Sequence, residues 1–176
     1  KSAVSPSDMV RLCDDLRQEF DWVLIDSPAG IERGFRNAVA PADLVIVVTN
    51  PEVSAVRDAD RIIGLIEAEE KGPARLIINR LNPALVKRGD MLNADDVLEL
   101  LAVELLGLVP EDESVVISTN RGQPVAMDGK ARAGEAFHNI ARRLNGEKVP
   151  FLKVEEKQDL FSRFARMIRG EDRGGN

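Results

Sequence analysis

The sequence predicts an α/β domain, a largely parallel sheet flanked by helices, followed by a C-terminal amphipathic helix. Three observations carry this. Four short apolar runs recur: Trp22-Val23-Leu24-Ile25, Leu44-Val45-Ile46-Val47-Val48, Leu76-Ile77-Ile78 and Leu105-Leu106-Gly107-Leu108-Val109. None shows polar alternation, the reading expected of strands buried on both faces. Helical spacings fill the intervals between them, and polar or turn-forming residues close every run.

The elements follow in order. Met9, Leu12, Cys13 and Leu16 fall at helical spacing behind the cap candidates Ser5 and Ser7. Trp22–Ile25 is the first expected strand, ending at Asp26-Ser27-Pro28-Ala29-Gly30. The second, Leu44–Val48, ends at Thr49-Asn50-Pro51. Val56, Ile62, Ile63 and Ile66 mark a helix from about Val53 to Glu69. The third strand, Leu76–Ile78, ends at Asn79-Arg80. Asn93 caps a further helix, with Asp96 at the capping-box position and Val97, Leu98 and Leu101 turned inward. The fourth strand, Leu105–Val109, ends at Pro110-Glu111-Asp112. Ala136, Phe137, Ile140, Ala141 and Leu144 mark another helix. No internal repeat is present. Residues 1–149 are expected to form the domain, 150–158 a linker, 159–170 the terminal helix and 171–176 a disordered tail.

Composition narrows the function. The 176 residues carry 24 Lys+Arg against 30 Asp+Glu, a formal net charge of −6, with 44% hydrophobic residues. This suits one globular domain and argues against wholesale disorder. A broad nucleic-acid-binding face is not expected. The single cysteine excludes an internal disulfide and a cysteine-built zinc site. No apolar run approaches the ~20 residues of a spanning helix, and no signal peptide is expected. Cys13 reads as core, and His138 as a surface or partly buried residue with no ligand role.

Ligands of such sheets sit beyond the carboxyl ends of the strands. Asp26 closes an apolar strand, which is how many P-loop NTPases hold Mg²⁺, usually through water. It equally reads as a strand-end Asp capping a turn. Gly30 reads as a close approach to phosphate or as an ordinary turn glycine. Asn79 and Arg80, with Pro110-Glu111-Asp112 opposite, suit the two sides of a base, and they also suit simple strand termination. The pattern G-x-x-x-x-G-K-[ST] is absent: Gly-Lys occurs once, at Gly129-Lys130, and Ala131 follows. Any phosphate cradle is therefore expected upstream, outside this sequence.

The C-terminal segment is the most readable by physics alone. With Leu160 to Arg169 as a helix, Leu160, Phe161, Phe164, Met167 and Ile168 share an arc of about 120°. Arg163, Arg166 and Arg169 point elsewhere. Bulky apolar residues bordered by arginines suit a helix lying in a membrane interface; a helix docked on its own domain has the same pattern. Burying five such side chains contributes roughly 7–15 kcal/mol at most. Ordering ten residues costs roughly the same. One copy therefore binds weakly, and two copies on one particle bind far more tightly.

Several long runs carry a family resemblance. Asp21-Trp22-Val23-Leu24-Ile25-Asp26-Ser27-Pro28-Ala29-Gly30-Ile31-Glu32 and Thr49-Asn50-Pro51-Glu52-Val53-Ser54-Ala55-Val56-Arg57-Asp58-Ala59-Asp60-Arg61 closely resemble the MinD family. So do Arg88-Gly89-Asp90-Met91-Leu92, Pro110-Glu111-Asp112 and Asn120-Arg121-Gly122-Gln123-Pro124. The resemblance covers the later part of a MinD-like chain and lacks the deviant Walker A loop. It implies a P-loop NTPase-like fold, incomplete here, and Mg²⁺-ATP-dependent dimers of the ParA/MinD group. It places Asp26 at the Walker B position, with Mg²⁺ held through water, and starts the second switch at Ser27, Pro28 and Gly30. It makes Asp58 a switch-region residue, which by charge alone pairs with Arg61 at i+3. Asn79, Arg80, Pro110, Glu111 and Asp112 fall on the adenine side, and the terminal helix becomes membrane-targeting.

The implied function is a membrane-associated ATPase on the cytoplasmic face of the inner membrane that positions the division septum. It recruits the inhibitor MinC and responds to MinE where the host carries it. Without the phosphate loop this piece alone is expected to be inactive. The alternatives are a non-enzymatic membrane- or partner-binding module and a ParA-type partitioning or flagellar-placement ATPase.

Overall fold

The computed structural model describes residues 4–27, 30 and 33–154. The terminal-helix residues Leu160, Phe161, Arg163, Phe164, Arg166, Met167, Ile168 and Arg169 lie outside these, as does Pro28. Among the described residues the strands are β1 (Val45–Thr49), β2 (Ala74–Leu81) and β3 (Glu104–Pro110). They form a parallel sheet in the order β1-β2-β3. The helices are α1 (Pro6–Leu16), α2 (Arg33–Val39), α3 (Val53–Ala68), α4 (Pro83–Arg88), α5 (Ala94–Leu101), α6 (Glu113–Asn120) and α7 (Arg132–Leu144), with a 3-10 turn at Val125–Met127. No helix among the described residues is long and apolar enough to cross a membrane.

Helices cover both faces, as the unalternating strands require. Leu76 and Ile78 of β2 pack with Val56, Ala59, Ile63 and Ile66 of α3, Val97 and Leu101 of α5, and Phe35 and Val39 of α2. Ile77, between them, points the other way into a second cluster with Leu106, Val109, Val125 and the α7 residues Ala133, Ala136 and Ile140. The two-residue period of the strand thus joins two cores through one element.

Local signals account for the helix starts. Ser5 caps α1 in a capping box with Asp8, and the Ser5 hydroxyl and amide hold the Asp8 carboxyl down at about 2. Asn93 and Asp96 form the expected box on α5. Cys13 is buried in the core. Two details of α7 differ from expectation. Its buried stripe is Ala133, Gly134, Ala136 and Ile140, while Phe137 and Ala141 face outward. Small residues let the helix approach β3 closely, so the inner face is marked by Ala and Gly rather than by bulk.

That approach makes Gly107 indispensable. A Cβ there would lie 2.3 Å from Cγ1 of Ile140. Gly107→Ala is expected to destabilise the domain by about 1–3 kcal/mol through overpacking, measured as a shift in urea midpoint. Gly64→Ala, on an exposed turn of α3 with nothing within 4 Å, should instead be neutral or stabilise by up to about 1 kcal/mol.

The first apolar run differs more. Residues 22–27 are not a strand. A cleft of about 770 Å³ separates them from β1, walled by Phe20 to Ser27 on one side and Leu44 to Val48 on the other. Among the described residues no strand pairs with this apolar run, and β1 is ladder-bonded to β2 alone. Leu24 is 81% and Val48 58% exposed. The run is tied instead by Trp22, whose Nε1 donates to Oδ1 of Asn145 at 3.1 Å.

Candidate functional site

The carboxyl ends of β2 and β3 are bound together by a short network. β2 is longer than its apolar run and includes Asn79 and Arg80, just as β3 includes Pro110. The β2–β3 register shifts between Ile78 and Leu81, and Arg80 there adopts a left-handed φ of 57°. Its guanidinium donates to Oε1 of Glu111 at 3.0 Å, while Nδ2 of Asn82 donates to Oε2 at 2.8 Å. The Glu111 amide donates to the carbonyl of Leu81. Asn82 also caps α4 by accepting from Ala84 and Leu85. Arg80 and Glu111 therefore hold each other and shape the rim between the two strand ends. Asn79 is half-buried beside them.

Asp112 does a similar task one residue on. Its Oδ1 accepts from the Ser114 amide at 2.9 Å, capping α6, and its Oδ2 accepts from the Ala133 amide at 3.1 Å. The loop after β3 is thereby pinned to the start of α7. Burial pulls the Asp112 carboxyl upward, but the Ala133 and Ser114 amides outweigh it and hold it below the ordinary range. Glu111 is held low by the Asn82 amide group and the Arg80 guanidinium.

These shifts have a definite sign. Both folded values lie below the unfolded ones, about 4.3 for Glu and 3.9 for Asp. The stabilisation is complete above those values and lost as pH falls through the folded ones. The unfolding midpoint should therefore drop as pH falls below about 4. Glu111→Gln with Asp112→Asn should lower stability at neutral pH and flatten the acid limb, read by thermal melts across that range.

The remaining site candidates sit on other elements. Asp26 and Ser27 are exposed and line the mouth of the cleft with Gly30, which takes the left-handed φ of 97° that suits glycine. Asp58 sits on the exposed face of α3, 3.9 Å from Arg61. His138 is exposed, with Nε2 2.7 Å from the Ala126 carbonyl. Asn82, absent from the candidates its sequence suggests, is the residue that joins α4 to Glu111. Its signal is Asn followed by Pro at a helix start.

The order of elements, the parallel sheet and the positions of these edge residues can be set beside known proteins. The family described as cellulose biosynthesis protein BcsQ matches residues 2–143. The septum site-determining protein MinD of Synechocystis is 50% identical over 172 residues, 97% of this chain and 65% of that protein. The chain belongs to the ParA/MinD family. MinD of Bacillus subtilis is 52% identical over 158 residues, 89% of this chain and 59% of that protein. The MinC:MinD cell division complex of Aquifex aeolicus superposes with a TM-score of 0.81 at 42% identity, covering 85% of this chain and 63% of that one. The chain thus spans less than two thirds of the length of these MinD relatives.

Proposed function

We propose that the full-length protein is a Mg²⁺-ATP-dependent, dimerising ATPase that associates with the membrane and regulates placement of the division septum. The observation that carries this is the identity with septum site-determining MinD proteins, 50% over 97% of the chain. Recruitment of MinC belongs to the same reading, on the 42% identity with the MinD that forms the Aquifex complex. Response to MinE follows where the host carries it.

The roles are assigned residue by residue. Asp26 holds Mg²⁺ through water, and Ser27, Pro28 and Gly30 form the second switch. Asn79 and the backbone of Pro110 to Asp112 face the adenine, with Arg80 and Glu111 holding that rim in shape. Asp58 links nucleotide state to partner binding. The terminal helix, Leu160 to Arg169, is the membrane-facing element. The donor set suits Mg²⁺: this ion takes one or two carboxylates, keeps several waters and relies on nucleotide phosphates. Asp26 is one exposed carboxylate, and among the described residues no group of three His, Cys, Asp or Glu side chains forms a metal cage. When bound, the ion would neutralise charge on the phosphates.

The cleft supports the same reading. Its walls are residues 22–27, which join no sheet among the described residues, and β1, the outer strand of the described sheet. One further parallel strand, contributed by polypeptide outside this chain, suits both. A glycine-rich loop at the end of such a strand reaches the edge where Asp26 and Ser27 stand. Co-sedimentation of the full-length protein with anionic vesicles tests the reading. Mg-ATP should promote pelleting and Mg-ADP should not; equal pelleting in both states overturns the nucleotide-dependent membrane role.

A further inference from the structure

The segment read as the beginning of a linker is fastened to the domain. From the end of α7 the chain turns back along that helix. The Arg143 guanidinium donates to three carbonyls: Leu106 of β3 at 3.0 Å, Val149 at 2.9 Å and Pro150 at 2.7 Å. It also lies 4.3 Å from the centre of the Phe151 ring. Leu152 packs onto the cluster of Ile77, Leu106 and Ile140. At the other end of α7, Nη2 of Arg132 donates to the carbonyl of Lys153. From Arg132 to Arg143 the helix advances roughly 16 Å, which four or five extended residues span.

This path determines where the chain is delivered. The start of α7 is the point pinned by Asp112, through the Ala133 amide. Arg132 is the neighbouring residue. One helical start thus receives the loop after β3 on its backbone and holds the root of the C-terminal segment by its side chain. The root emerges at the carboxyl edge of the sheet, beside the candidate nucleotide rim.

We propose that Arg132 and Arg143 are positioning residues that strap residues 149–153 along α7 and thereby couple occupancy of the nucleotide edge to engagement of the terminal segment. The proposal rests on the functional reading above. A ligand that tightens the Asp112 loop tightens the start of α7, and with it the Arg132–Lys153 bond. By linkage, engagement of the terminal segment tightens nucleotide binding by the same factor.

Two experiments on the full-length protein test this. Trypsin cuts after Lys153, at the very carbonyl that Arg132 holds. Arg132→Ala should be cut there about fivefold faster than wild type, the effect of one lost hydrogen bond, and Arg132→Lys should restore much of the resistance. Mg-ATP should slow this cut in wild type and not in Arg132→Ala. Equal cleavage rates in wild type and Arg132→Ala overturn the strap.

The second measures vesicle affinity on phosphatidylcholine–phosphatidylglycerol vesicles with and without Mg-ATP. Wild type should show a nucleotide-dependent gain of about tenfold or more. Arg132→Ala combined with Arg143→Met should reduce that gain to about twofold or less, while nucleotide affinity without vesicles falls by no more than the factor by which Mg-ATP slows the trypsin cut in wild type. A full gain in the double variant overturns the coupling. Failure of wild type to bind vesicles in either state overturns the membrane reading and the coupling together, and the trypsin cleavage rates then decide the strap on their own.

Discussion

Phe164→Glu in the full-length protein is expected to abolish co-sedimentation with anionic vesicles in Mg-ATP while leaving nucleotide affinity unchanged. In the sequence-predicted helix Phe164 lies about 40° from Leu160, at the middle of the apolar arc between Met167 and Ile168. A carboxylate there removes about 1.5–3 kcal/mol of burial and opposes an anionic surface. Each 1.4 kcal/mol is about a tenfold change in affinity. One helix therefore loses roughly ten- to a hundredfold, and a dimer holding two loses the product of both. Retained pelleting would remove the terminal helix from the membrane role. Arg166→Glu should act in the same direction with a smaller effect, because the arginines contribute by attraction to lipid charge rather than by burial.

Asp26→Ala is expected to lower Mg²⁺-dependent ATP hydrolysis by the full-length protein about a hundredfold or more, the scale seen when one preorganised charge-stabilising group is deleted. Asp26 is exposed, so the substitution should leave the unfolding midpoint nearly unchanged. That separates a chemical role from a structural one. Steady-state phosphate release at saturating ATP measures it, with a thermal melt alongside. Turnover at the wild-type rate would take Asp26 out of the site and return it to the role of a turn-capping residue.

The sheet was legible where an apolar run met a partner. β2 and β3 each contain the run that announced them and β1 takes in all of its run but Leu44, because strands covered on both faces leave an uninterrupted Val, Ile and Leu signature. Trp22 to Ile25 has the same signature and no ladder, since a strand is defined by what lies beside it and propensity does not specify a neighbour. The helix caps at Ser5 and Asn93 were local and readable. The inner face of α7 departs from its bulky pattern at Phe137 because packing distance is set by Gly107 across the interface, a residue far away in sequence. The site divides in the same way. Strand-end residues were visible as a set. The left-handed Arg80, its grip on Glu111 and the bond from Ala133 to Asp112 depend on register and on contacts across 21 or more residues, and no local pattern encodes them.

The free margin of β1 has a consequence for the chain as a separate molecule. Its outward row of backbone amides and carbonyls, next to an exposed Val48, is an unsatisfied template on which any extended peptide can add a strand. A strand laid along β1 would silence that template. Uncovered, the same margin recruits whatever strand is most concentrated nearby, which in a purified sample is another copy. Self-association of this chain therefore depends on whether that margin is covered as well as on its −6 charge, and a matching peptide added in trans would act as both partner and solubiliser.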